Sequence, residues 1–152
     1  MISNIDIVKR ALKLAEKGDM ETLGELMSDD FAFTGATPQP MNKTQFIELI
    51  QTLVTAIPDW QFNATNVSAA GDNVRMVNRI TGRNTGRLNF PAMGLNSVPP
   101  TGQRVELPPE TIDTVVRNGK IVAYIATHAQ GGGLVGILTQ LGIKVPATAG
   151  SK

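Results

Sequence analysis

The chain contains no cysteine and only one histidine, one tyrosine and one tryptophan. Without cysteine there are no disulfides and no thiolate metal sites. A single histidine argues against a His-based metal centre as well, so no metal is expected. Charge is sparse too: Asp, Glu, Lys and Arg make up 18% of residues and the formal net charge is +1. No Lys/Arg cluster is dense enough to displace many phosphate counterions, so no nucleic-acid partner is expected. No stretch approaches the roughly 20 apolar residues of a membrane span. The opening MISNIDIVKRALKL carries charges where a signal peptide needs an unbroken apolar core, so the expectation is a cytoplasmic protein without a membrane partner.

What remains is 152 residues with 41% hydrophobic content, enough to bury a sizeable core in one domain. A single domain is predicted over residues 1–145, with a flexible tail over 146–152. Asn4 or Asp6 can cap a first helix whose apolar residues Ile7, Val8, Ala11, Leu12, Leu14 and Ala15 follow helical spacing, and Gly18 ends it. Asp19 caps a second, short helix through Met27, and Asp29–Thr34 alternates as a strand. A third helix runs from about Asn42 to Pro58, with Phe46, Leu49, Ile50, Leu53 and Val54 on its apolar stripe. From Trp60 the period changes. Trp60–Ser68 and Val74–Gly86 read as two long strands joined by the turn residues Ala70–Asn73. In the second of these, Val74, Met76, Asn78, Ile80 and Asn84 share the core face, while Arg75, Arg79 and Arg83 share the other. Leu88–Gln103 reads as a long loop, a lid or an oligomer contact. Gly131–Gly133 reads as a hinge before the apolar segment Leu134–Leu141.

The strongest local signal is Asn118-Gly119 between two β-branched runs, Thr111–Arg117 and Lys120–Thr127. Asn-Gly suits a two-residue type I′ turn, because both central positions need φ > 0. With regular alternation the turn pairs Arg117 with Lys120, Val116 with Ile121, Val115 with Val122 and Asp113 with Tyr124. His128 then falls near Pro109. This register places Asp113, Val115, Val122, Tyr124 and His128 on one face.

The ordered motifs GDMETLGELMSDDFAF, AIPDW, TGRNTG, PPTGQRV, NGKIV and LTQLG resemble the SnoaL-like polyketide cyclase (ester cyclase) family of the nuclear transport factor 2-like superfamily. The resemblance runs from the first helix to about Gly142. It implies an α+β cone: three N-terminal helices packed on a curved antiparallel or mixed sheet, with a short C-terminal helix and a deep apolar pocket. It also implies no cofactor, a small hydrophobic ligand and a homodimer formed through the sheet. Asn84, in Gly82-Arg83-Asn84-Thr85-Gly86, stands where the family pattern has a histidine, and His128 lies where it has an acid/base aspartate.

The candidate catalytic residues are therefore His128, as base, and Asp113, as its orienting group. Tyr124 or Asn84 can donate to a developing oxyanion. Trp60, Met76, Phe33 and Asn78 complete the candidate ligand pocket. Two functions stay open at this level. One is a cofactor-independent cyclase, isomerase or hydrolase; the other is a binding or interaction module that kept the fold without the chemistry. A third variant needs Asp113 and an arginine such as Arg79 to point inward.

Overall fold

The computed structural model describes residues 3–37, 39–91 and 94–143. The predicted tail, 146–152, lies outside them. Helix α1 (Asn4–Lys17) buries Ile7, Val8, Ala11, Leu14 and Ala15, one stripe at helical spacing. Its N-cap is Ser3 rather than Asn4 or Asp6: the Ser3 hydroxyl accepts from the Asp6 amide. Gly18, at φ +80°, closes it in the left-handed region that glycine adopts without penalty. Helix α2 (Met20–Glu25) is capped by Asp19. The chain becomes a strand earlier than the apolar spacing suggests, as β1 (Met27–Thr34), followed by β2 (Met41–Asn42). Helix α3 (Lys43–Ala56) begins with a reciprocal capping box, Asn42 and Gln45 each bonding the other's backbone N–H. Two strands thus separate α2 from α3, so the helices do not form one uninterrupted N-terminal block.

The two long strands expected after Trp60 are shorter and broken. Trp60 precedes a single bridge, and the strands are β3 (Thr65–Ala70), β4 (Asn73–Asn78) and β5 (Thr81–Arg83). The core face of β4 is as its alternation predicts, with Val74, Met76 and Asn78 inaccessible to solvent and Arg75 exposed. The stretch read as a loop, Leu88–Gln103, instead holds a hairpin, β6 (Leu88–Phe90) with β7 (Leu95–Val98); just beyond it β8 (Arg104–Glu106) pairs with β5. Strands β9 (Glu110–Arg117) and β10 (Lys120–His128) form the long hairpin, and α4 (Gly133–Leu141) follows. The main sheet is mixed and six-stranded, in the order β2-β1-β10-β9-β4-β3, with β1 parallel to β10.

One irregularity in the hairpin reorganises its faces. The Asn118-Gly119 turn forms as expected, both residues at positive φ, and Arg117 pairs with Lys120 and Val116 with Ile121. Val122 is then an extra, unpaired residue. Beyond this β-bulge Ala123 faces Val115, Tyr124 faces Thr114, Ile125 faces Asp113 and His128 faces Glu110. A one-residue slip exchanges faces for everything that follows. Tyr124 consequently shares the inner face with Glu110, Ile112, Thr114 and Val116, while Asp113 lies on the outer one. Asp113, Tyr124 and His128 do not share a face.

Candidate functional site

The inner face of the sheet and the helices enclose a cavity of about 80 Å3. Its wall is mostly apolar: α1 supplies Val8 and Ala11, α3 supplies Phe46 and Leu53, and α4 supplies Leu134 and Ile137. Phe33 and Trp60 line it as well. Phe33, Phe46 and Tyr124 form a continuous aromatic cluster with ring centroids 4.8–5.8 Å apart. Against this wall the polar groups are few, which makes each informative.

Glu110, Thr114 and Tyr124 line the cavity from β9 and β10, whereas Asn78 on β4, expected in the wall, is not a lining residue and meets the cavity only through Tyr124. Asn78 pairs with Glu110, and Glu110 with His128; further along, Val74 pairs with Thr114, and Thr114 with Tyr124. Glu110 is 6% exposed and Thr114 and Asn78 are fully buried. The Asn78 side-chain amide donates to the Tyr124 hydroxyl at 3.1 Å, crossing over β9 to do so. With its oxygen accepting that bond, the phenol keeps its own proton for another acceptor. Burial, helped by the charge of Glu110, pushes the Tyr124 phenol far above its ordinary range, with the Asn78 bond opposing the shift. Tyr124 is therefore a neutral donor at any physiological pH. Burial also raises the Glu110 carboxyl, while the charge of His128 pulls it partly back.

His128 stands at the exposed end of β10. Its Nδ1 lies 3.0 Å from the Ala129 carbonyl oxygen. A carbonyl only accepts, so Nδ1 carries hydrogen and Nε2 of the neutral ring is left with its lone pair. The ring rests on the glycine segment: a β-carbon on Gly133 would sit 3.0 Å from Nε2, and one on Gly132 would sit 2.9 Å from the His128 Cβ. Gly133 itself lines the cavity, which places His128 at its rim rather than in its wall.

Asp113, read from the sequence as the group orienting His128, does something else. On the outer face it receives Arg75 Nε at 2.8 Å, Arg75 Nη2 at 3.1 Å and Asn73 Nδ2 at 3.0 Å. The bidentate Arg75 bond, then the Asn73 bond, hold its carboxyl below the usual aspartate range. Asn84 is not in the cavity wall either. It is fully buried among backbone groups, donating to the carbonyls of Ala56 and Gly86 and accepting from the Thr101 amide and hydroxyl. That set uses all the amide's bonding capacity and clamps the end of α3 to the β5–β8 connection. Met76 is fully buried between Val74 and Asn78 and packs in the core beneath the cavity. Among the described residues, no three His, Asp or Glu side chains gather as metal ligands, and no helix is long and apolar enough to cross a membrane.

Glu110 is the residue that sequence reading missed. Its signal was present: Ile112 and Val116, the apolar members of β9, share its parity, whereas Asp113 and Arg117 have the opposite one. Giving the inner face to Ile112 and Val116 carries Glu110 inward with them.

Comparison with known proteins agrees with this architecture. Residues 5–131 match the SnoaL-like polyketide cyclase family. A protein of Jannaschia sp. CCS1 assigned to the SnoaL-like polyketide cyclases superposes with a TM-score of 0.70 at 22% identity, over 91% of this chain and 90% of its own. AclR of Streptomyces galilaeus, proposed to be a hydroxylase, gives 0.70 at 22% identity, over 94% of this chain and 97% of its own. IdmH of Streptomyces antibioticus, proposed to be a polyketide cyclase, gives 0.70 at 24% identity, over 93% and 100%. At these identities the likeness establishes a common fold. No curated protein matches the chain significantly.

Proposed function

This chain belongs to the SnoaL-like polyketide cyclase family, and we propose that it is a cofactor-independent acid–base enzyme acting on a small, largely apolar carbonyl compound. Glu110 is the base and Tyr124 the oxyanion donor. The observation that carries this reading is the Asn78–Tyr124 hydrogen bond beside a buried carboxyl. It leaves the phenol proton without an acceptor among the described residues, beside the same cavity as a carboxylate made more basic by burial.

The chemistry follows from those two groups. The Glu110 carboxylate removes a proton from the carbon next to the substrate carbonyl. The electrons of that C–H bond form the enolate, and the oxygen that gains charge is held by the Tyr124 O–H. The enolate carbon then attacks a second carbonyl of the same molecule, forming a carbon–carbon bond. The resulting alkoxide recovers a proton from Glu110. Atoms and electrons balance without an oxidant, a metal or a second substrate. His128 stands opposite Glu110 on the neighbouring strand, at the solvent-facing rim of the cavity.

The test is hydrogen exchange. Small ketones such as butan-2-one, incubated with the protein in D2O, should lose α-hydrogen signal by NMR, and Glu110→Gln should abolish the catalysed part. The predominance of apolar side chains in the wall favours a second reading, a carrier that binds such compounds without turning them over. In that case the ketones bind, the wild type exchanges nothing, and Glu110→Gln changes neither.

A further inference from the structure

Among the described residues, three hydrogen bonds tie α4 to the rest of the fold. The Leu134 amide donates to the Ala36 carbonyl at 3.1 Å. Near the other end, the Gln140 side chain takes both backbone groups of Glu106, accepting from its N–H at 2.7 Å and donating to its carbonyl at 3.0 Å. These two bonds lie in exposed surroundings, so water replaces them when they break. Helix α3 is held differently, through the buried bond from Asn84 to the Ala56 carbonyl. Helix α4 is joined to β10 by the exposed turn 129–131. Gly131, at φ +91°, has no atom within 4 Å of where a β-carbon would stand, so rotation there meets no obstacle.

We propose that α4 is the gate of the cavity, with Gly131 as its hinge and Gln140 as its latch. Leu134 and Ile137 are wall residues carried on this one helix, so swinging it outward opens the enclosure. Size calls for such an opening. The closed cavity of about 80 Å3 is well below the ~150 Å3 that accommodates benzene in an apolar protein interior. A ligand of that size or larger therefore enters only when the wall moves. The open state is brief, because Leu134, Ile137, Leu138 and Leu141 are buried in the closed one and their return from water draws the helix back. The gate stands on this geometry and does not depend on the acid–base chemistry proposed above.

The single tryptophan reports on the gate, because Trp60 is 4% exposed and lines the cavity. Acrylamide quenches indole fluorescence only on contact, so its quenching constant follows how often the enclosure opens. Gln140→Ala and Gln140→Met both remove the latch, put a good helix former in its place and leave the wall untouched. Each should raise the quenching constant about fivefold or more, the loss of at least one net hydrogen bond. Arg75→Ala, which removes two bonds to Asp113 on the outer face, should leave it unchanged. Amide hydrogen exchange of the wild type needs no variant. The Leu134 amide should exchange about tenfold faster, or more, than the amides of β9, a strand paired on both sides. Equal quenching in wild type and both Gln140 variants, an equal rise in Arg75→Ala, or a Leu134 amide as protected as β9 overturns the gate. If ketones exchange their α-hydrogens and the Gln140 variants behave like wild type, only the gate falls. If the gate responds as expected and no ketone exchanges, only the proposed function falls.

Discussion

Asn78 and Tyr124 are 46 residues apart in sequence and on strands that do not touch, yet the amide of one donates to the hydroxyl of the other at 3.1 Å. The bond fixes the phenol over β9 and leaves its proton unspent. Tyr124→Phe removes the donor and leaves the Asn78 side chain, whose Oδ1 is already unpartnered, with no bond at all. We expect a rate loss of about 10²–10³ in α-hydrogen exchange, the usual consequence of losing one oxyanion donor. The same change should cost about 1–3 kcal/mol in denaturant unfolding.

Glu110 and Asp113 lie three residues apart on β9 and should affect stability with opposite pH dependence. Burial raises the Glu110 carboxyl above its ordinary value of 4.5. Between that value and the raised one the folded state binds more protons than the unfolded chain, so this contribution to stability falls as pH rises. Asp113 is held below its ordinary 3.8 by Arg75 and Asn73. Its contribution is present above 3.8 and is lost as pH falls through the lowered value. Unfolding measured from pH 3 to 8 should therefore show that Glu110→Gln removes the loss at the upper end. Asp113→Asn should flatten the acid limb.

Asn84 holds its surroundings together through bonds to Ala56, Gly86 and Thr101. Asn84→Ala strands all of these buried partners and should destabilise the fold by at least ~2 kcal/mol. Ligand affinity per folded molecule should be unchanged. Histidine, the residue the family pattern suggests at this place, cannot reproduce two donors and a doubly accepting oxygen, so Asn84→His should be destabilising as well.

Helix α4 seals the cavity with Leu134 and Ile137, and its approach depends on a missing methyl group. A β-carbon on Gly136 would lie 2.1 Å from the Gly131 carbonyl oxygen, a backbone atom that cannot swing away. Gly136→Ala should push α4 outward, at a cost of about 1–3 kcal/mol for the overpacked contact. Ketone affinity should fall in the same variant, measured by NMR titration.

The sequence made the local pieces readable wherever one periodicity ran undisturbed. The stripes of α1 and α3, the Gly18 stop, the Asn118-Gly119 turn and the inward set Val74, Met76 and Asn78 all follow from spacing and turn chemistry. The candidate site was less legible because a single residue, Val122, is absorbed without a partner. A bulge has no composition of its own, and alternation counted outward from the turn passes straight through it. That miscount moved Asp113 to the side of Tyr124 and hid Glu110. The short strands β6, β7 and β8 escaped for a different reason. They are three or four residues long, in a proline- and glycine-rich stretch, too short for alternation to register; β6 and β7 are ordered by pairing with each other and β8 by pairing with β5.

The most direct measurement is α-hydrogen exchange of butan-2-one in D2O, run side by side on wild type, Glu110→Gln and Asp113→Asn. Inner-face catalysis by Glu110 predicts that the first substitution loses at least 10²-fold of the catalysed rate, the low end for a positioned general base. The second should keep the rate within about twofold, since Asp113 faces away from the cavity and its Arg75 pair is a stability feature. Undiminished exchange in Glu110→Gln, or a loss confined to Asp113→Asn, would contradict it.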